Sequence, residues 1–165
     1  MTRSERRHWA VVPAAGVGRR MAGAVPKQYL MLQGRPVIEH TLRTLVEHPA
    51  IARVMVAVSA SDTWWRATAY ADHPRVRRVT GGEERADSVL NGLLALQGEA
   101  AADDWVLVHD AARPCLHRTD LDKLMQDLGD HPVGGLLAVP RSDTIQRTDP
   151  TRKALQNVPR ERSRR

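Results

Sequence analysis

Short blocks of consecutive apolar residues punctuate this chain of 165 residues, at Val11-Val12, at Val54-Met55-Val56-Ala57-Val58, at Trp105-Val106-Leu107-Val108 and at Gly135-Leu136-Leu137-Ala138-Val139. Runs this short and continuous suit strands buried on both faces of a parallel sheet. A weaker strand is expected over 74–79. Between these blocks the period lengthens to that of a helix. Val37, Ile38, Leu42, Leu45 and Val46 predict a helix over 34–47 after the Gly34-Arg35-Pro36 turn, since proline is well placed at a helix start. Ser59-Ala60-Ser61-Asp62 offers capping oxygens to a short helix through Trp64, Trp65 and Tyr70. Adjacent tryptophans on it point in different directions, one to the core and one partly outward. A Gly81-Gly82 turn feeds a helix carrying Val89, Leu90, Leu93, Leu94 and Leu96, and another helix is expected over 119–128.

Strand and helix therefore alternate, which predicts an α/β fold of three layers: a mostly parallel twisted sheet with helices on both faces, joined by right-handed crossovers. Such sheets bind ligands outside the carboxyl ends of their strands. After Pro140 the pattern decays into a polar segment, 141–157, expected to be extended or an arm, and an arginine-rich end, 158–165, expected to be disordered. Residues 9–140 are then the folded domain, preceded by a basic tail, 1–8.

The formal charge of +6 resembles a nucleic-acid signal until it is located. Residues 1–8 carry three arginines against Glu5, and 151–165 carry five arginines and Lys153 against Glu161, so residues 9–150 are left at −1. No specific nucleic-acid partner is expected. Cys115 is the single cysteine, which excludes an intrachain disulfide and fits a cytoplasmic setting. The apolar run after the basic start is too short for a signal peptide or a membrane span.

The chemistry is concentrated where strands end. Val12 runs into Pro13-Ala14-Ala15-Gly16-Val17-Gly18-Arg19-Arg20-Met21, closed by Pro26-Lys27-Gln28. Gly16 and Gly18 leave room for a phosphate to approach main-chain N–H groups, and Arg19, Arg20 and Lys27 supply charge. The plainer alternative is a glycine turn with solvated arginines. A Walker A loop is absent, and a dinucleotide fingerprint would want glycine where Met21 stands. Asp110 directly follows the Trp105–His109 block and can hold a hard cation such as Mg²⁺ together with substrate phosphates, with Arg113 meeting a second phosphate; alternatively Asp110 caps a turn and pairs with Arg113. Ser88 either contacts a base or ribose over Gly81-Gly82 or is a polar residue of a first helical turn. His109 is read as a strand-end histidine and not as a catalytic base, and Cys115 as a buried structural thiol. Together these pieces favour displacement of pyrophosphate from a triphosphate by an already anionic phosphate, with no covalent intermediate.

Three motifs in order, Val12–Met21 with Pro26-Lys27-Gln28-Tyr29, Gly81–Val89 and Val108–Pro114, closely resemble those of the 2-C-methyl-D-erythritol 4-phosphate cytidylyltransferases, over residues 9–157. The resemblance implies a Rossmann-like nucleotidyltransferase fold and an enzyme of the non-mevalonate isoprenoid pathway. It would join CTP and methylerythritol phosphate into 4-diphosphocytidyl-2-C-methyl-D-erythritol and pyrophosphate, with Mg²⁺, as a homodimer. Arg20 and Lys27 match residues that stabilise the pentacoordinate α-phosphate, and Ala14, Ala15, Gly16 and Gly18 match the triphosphate loop, beside Arg19. Gly82 and Ser88 match cytosine or ribose contacts, Asp110 the metal ligand, and Arg113 and Thr144 the acceptor pocket. Residues 141–157 resemble the start of the dimerisation arm. Members continue for roughly seventy residues past the point where this sequence turns arginine-rich. From sequence the fold is therefore expected to be incomplete at its C-terminal end and the chain to have little or no transferase activity alone.

Overall fold

A computed structural model of the chain describes residues 6–16, 25–138, 145–151 and 154–158. Thr144, Gly18, Arg19, Arg20 and the segment 159–165 lie outside the described residues. The chain divides into two compact units, Met1–Arg118 and Thr119–Arg165.

In the first unit the elements follow in the order β1 (His8–Pro13), a 3-10 turn (Lys27–Tyr29), β2 (Met31–Leu32), β3 (Arg35–Pro36), α1 (Val37–Val46), β4 (Ile51–Val58), a 3-10 turn (Trp65–Ala67), β5 (Val76–Thr80), α2 (Arg85–Leu94) and β6 (Trp105–Val108). β2 and β3 form a small antiparallel pair. The other four strands make one parallel sheet in the order β5-β4-β1-β6. β1 lies between β4, paired from His8 opposite Ile51 to Pro13 opposite Ala57, and β6, paired from His8 opposite Trp105 to Val11 opposite Val108.

That order follows from the sequence pattern. Val54 to Val58 and Ala10 to Val12 have no exposed surface, so both faces of the two central strands are covered. Right-handed crossovers running first outward from β1 through β4 to β5, and then back across to β6, place α1 and α2 on opposite faces. α1 buries Ile38, Leu42 and Leu45 completely. On the other face Trp9, Val11, Met55 and Leu96 form one cluster. The strand order reverses between β1 and β6, and this reversal opens the crevice in which doubly wound sheets bind ligands.

α2 packs differently from its expectation. Its buried residues are Ser88 and Gly92, one turn apart, whereas Leu90, Leu93 and Leu94 are exposed. A Cβ on Gly92 would lie 2.5 Å from Val11 Cγ1, so the absence of a side chain brings the helix backbone directly onto β1. β6 is half-buried, with Val108 exposed, where full burial was expected, because among the described residues it is the last strand of the sheet and pairs with β1 alone. At the opposite end, β5 presents exposed Arg77 and Arg78, charges of the kind that discourage edge-to-edge association. Asp104 ties the starts of β1 and β6, accepting from Trp9 Nε1 at 2.8 Å and from the Arg7 backbone N–H at 2.9 Å.

The tryptophans divide as expected: Trp65 is buried and Trp64 is 42% exposed. The capping group is Asp62, whose Oδ1 accepts the N–H groups of Trp64 and Trp65, although only the 3-10 turn follows.

The second unit contains α3 (Arg118–Leu128), whose first residue closes the first unit, and an antiparallel hairpin of β7 (Ile145–Thr148) and β8 (Ala154–Val158). The extended arm expected after Pro140 is thus a hairpin, and Val158 belongs to β8 rather than to the tail. The strand expected over 135–139 is not formed in its described part, 135–138. His131 Nδ1 holds the backbone N–H groups of Val133 and Gly134, and a Cβ on Gly135 would fall 2.4 Å from Leu128 Cδ1. The segment folds back on the end of α3, so its apolar residues find no ladder partner, and Leu136 is 76% exposed.

Candidate active site

The carboxyl ends of β1 and β6 and the turn after β5 converge on a cavity of about 190 Å³. Three stretches distant in sequence line it: Pro13 to Gly16 with Lys27 and Gln28, Gly82 to Arg85 with Ser88, and Asp110 to Ala112.

The first wall is pinned through Ala14. Its N–H donates to Ala57 O at 2.7 Å, and its carbonyl accepts from Gln28 Nε2 at 2.7 Å. Gln28 is buried and sits in the 3-10 turn that also carries Lys27. The turn is held from behind by Tyr29, whose hydroxyl donates to Asp62 Oδ2 at 2.8 Å and whose ring stacks on Trp64, 6.3 Å between centroids. Trp64 therefore serves the turn. Burial, and then the bond to Asp62, push the Tyr29 phenol far above its ordinary value, so it stays a donor at every working pH. Among the described residues, a Cβ on Gly16 would meet nothing within 4 Å.

The second wall is the turn after β5. Gly81 N–H donates to Val58 O at 2.7 Å, and a Cβ on Gly81 would stand 2.4 Å from the Ala15 methyl. Ser88 Oγ accepts the Gly82 N–H at 3.1 Å. Ser88 is thus the first-turn residue of one sequence reading, its hydroxyl shaping the glycine turn, and it also lines the cavity. Glu84 precedes α2, and its N–H donates to Asp87 Oδ2 at 3.0 Å, half of a capping box.

The third wall carries Asp110. Its Oδ1 accepts from Arg85 Nε at 2.8 Å, and its Oδ2 forms an ion pair with Arg113 Nε at 2.9 Å. Pairing with Arg113, one of the two sequence readings, is present. Arg85 was missed, since it stands 25 residues away and no periodicity links it to a strand end. Burial raises the Asp110 carboxyl, but the hydrogen bond and charge of Arg85, with Arg113 and His109 behind them, outweigh it and hold the group below its ordinary value. Burial pushes His109 the other way, below the usual histidine value, which leaves it uncharged at neutral pH. A neutral, half-buried ring fits the reading of His109 as a strand-end residue. Cys115 is exposed, contrary to expectation, because it follows Pro114 in the turn leaving the site and not in a packed element.

Among the described residues no group of three or more histidine, cysteine, aspartate or glutamate side chains gathers around a metal position. Asp110 nevertheless fits Mg²⁺, which is commonly held by one or two carboxylates while phosphates and water complete its sphere.

The depressed Asp110 carboxyl makes a stability prediction. Its folded-state value lies below its unfolded one, so its contribution is present above the unfolded value, near 4, and is lost as pH falls through the folded value. Asp110→Asn should therefore melt below wild type at pH 7, with the gap closing toward pH 3. A gap independent of pH over that range would show that the ion pairs do not stabilise the fold.

The family model of 2-C-methyl-D-erythritol 4-phosphate cytidylyltransferase (IspD) matches residues 8–164. A Pseudomonas putida (strain GB-1) protein named 2-C-methyl-D-erythritol 4-phosphate cytidylyltransferase is 58% identical over 142 residues, 86% of this chain. A crystal structure of 4-diphosphocytidyl-2C-methyl-D-erythritol synthase superposes with a TM-score of 0.84 at 34% identity, covering 98% of this chain and 72% of that one. The Francisella tularensis 2-C-methyl-D-erythritol 4-phosphate cytidylyltransferase gives 0.78 at 29% identity over 96% of this chain and 68% of that one. The chain spans 60% of the length of the Pseudomonas putida relative. With strand order, cavity walls and sequence likeness in agreement, the chain belongs to the 2-C-methyl-D-erythritol 4-phosphate cytidylyltransferase family.

Proposed function

We propose that the cavity binds CTP and that the protein transfers its cytidylyl group to 2-C-methyl-D-erythritol 4-phosphate, in this chain alone at the low rate expected from its sequence. The observation that carries this reading is the meeting of Ala14 to Gly16, Lys27, the Gly82 to Ser88 turn and Asp110 around one cavity. These are the parts that a triphosphate, a base with its ribose and a metal-bridged phosphate each require.

In the reaction an oxygen of the acceptor phosphate attacks the α-phosphorus of CTP opposite the bond to the β-phosphate. One P–O bond forms as the other breaks, and the departing pyrophosphate keeps the electron pair. The nucleophile is anionic at the outset, so no side chain has to remove its proton. The loop of Ala14, Ala15, Gly16 and Gly18, with Arg19, holds the triphosphate through main-chain N–H groups other than that of Ala14, which is committed to Ala57 O. Lys27 and Arg20 offset the charge that gathers on the α-phosphoryl oxygens in the transition state. Ser88 and Gly82 fix base and ribose, while Arg113 and Thr144 hold the acceptor phosphate. Asp110 would hold Mg²⁺, which when bound supplies positive charge to the triphosphate. Residues 9–140 act as the nucleotide-binding domain, the 141–157 arm contributes to a homodimer, and the enzyme works in the cytoplasm.

Calorimetric titration with CTP, UTP and ATP in the presence of Mg²⁺ tests this reading. CTP is expected to bind at least tenfold more tightly than the other two, one hydrogen-bonded discrimination being worth about 1.4 kcal/mol. Equal binding of UTP would remove the cytidine assignment, and no binding by folded protein would remove the nucleotide site. Pyrophosphate release with methylerythritol phosphate then tests the transfer step.

A further inference from the structure

The interior of the first unit holds a polar side chain for which the proposed chemistry gives no role. Gln28 is 3% exposed, and its amide donates to the carbonyl of Ala14 at 2.7 Å. Burying a flexible amide costs free energy unless it is hydrogen-bonded, and a purely packing position would be filled better by leucine or methionine. The bond closes a ring of main chain. Ala14 N–H is fixed to Ala57 O at the end of β4, Ala14 O to Gln28, and the backbone of Gln28 to the 3-10 turn whose first residue is Lys27. The turn is braced in addition by Tyr29 against Asp62. Both ends of the segment that leaves β1 and returns at Lys27 are thereby fastened at one point of the sheet, directly beside the cavity.

We infer that Gln28 is a positioning residue for Lys27: its amide sets the distance between the lysine ammonium and the main-chain N–H groups of Ala15 and Gly16. A lysine on a flexible stem is a mobile point charge, so its value to a triphosphate depends on where its backbone is anchored. This inference rests on the reading of the cavity as a triphosphate site.

The test is a double-variant cycle read by CTP titration with Mg²⁺, using Gln28→Met, which keeps length but removes the donor, Lys27→Ala, and the two combined. Thermal melting is followed on each sample. Lys27→Ala is expected to weaken CTP about thirtyfold, the loss of a charge-assisted contact, and Gln28→Met about tenfold. If Gln28 acts through Lys27, the combined variant is no weaker than Lys27→Ala alone, because the anchor has nothing left to place. Losses that multiply, to about 300-fold, overturn the inference and make Gln28 a packing residue. Should Gln28→Met not fold, Gln28→Glu carries the same question. Its buried carboxyl has a raised pKa, donates to Ala14 O when protonated and opposes it when ionised. CTP affinity of Gln28→Glu relative to wild type should then fall as pH rises, and a flat ratio overturns the inference. Failure of wild type itself to bind CTP marks the triphosphate reading as wrong, and the positioning role falls with it.

Discussion

Replacing Lys27 by alanine is expected to lower the rate of pyrophosphate release from CTP and methylerythritol phosphate by about two to three orders of magnitude, the usual cost of removing one preorganised group that faces developing negative charge. The side chain lines the cavity and lies in a turn fixed from two sides, by Gln28 to Ala14 and by Tyr29 to Asp62. The fall in kcat should exceed the rise in KM, because the transition state carries more charge on the α-phosphoryl oxygens than the bound substrate does. Lys27→Arg should recover part of the rate by keeping the charge while moving it. An unchanged kcat in Lys27→Ala would take this residue out of the reaction.

The second large effect is expected far from any substrate. Gly92→Val places a branched side chain where a Cβ alone would come within 2.5 Å of Val11 Cγ1. Val11 has no exposed surface and sits in the central strand, so it cannot give way. α2 must lift from β1, or β1 must shift. Overpacking of a tight core commonly costs about 1–3 kcal/mol, and the few tenths by which valine exceeds glycine in helix propensity offset little of it, so a loss of about 2 kcal/mol is expected in chemical denaturation. Because α2 carries Ser88 and Arg85 into the cavity, CTP binding should weaken in parallel. A stability within 1 kcal/mol of wild type would mean that the helix rests on β1 less closely than the structure has it.

Those two positions show unequal visibility in the sequence. β4 was legible because five consecutive apolar residues admit no other easy reading, and α1 because its period is flanked by Pro36. The cavity walls were legible because small residues, cationic residues and Asp110 stand directly after strand blocks. Gly92 was hidden by Leu90, Leu93 and Leu94, which carry the strongest apolar signal of α2 and yet face outward; a helix that docks by its smallest residues leaves no hydrophobic stripe to find. Arg85 was hidden for another reason. Its partner Asp110 lies on a different strand end, and only the crossing of the chain from β5 to β6 brings them together. The failed strand at 135–138 shows the same limit from the opposite side: the apolar run was present, but its Gly-Leu-Leu-Ala sequence has little β propensity, and a strand exists only in its ladder.

The contact between Gly81 and Ala15 restricts how this site can vary. The two residues belong to opposite walls, and a Cβ on Gly81 would overlap the Ala15 methyl at 2.4 Å and crowd Ser88 Oγ at 2.9 Å. Positions 81 and 15 therefore share one volume, and neither can be enlarged independently of the other. Randomising both together should return functional variants mainly as small–small pairs, so a specificity library for this cavity is better aimed elsewhere on its lining.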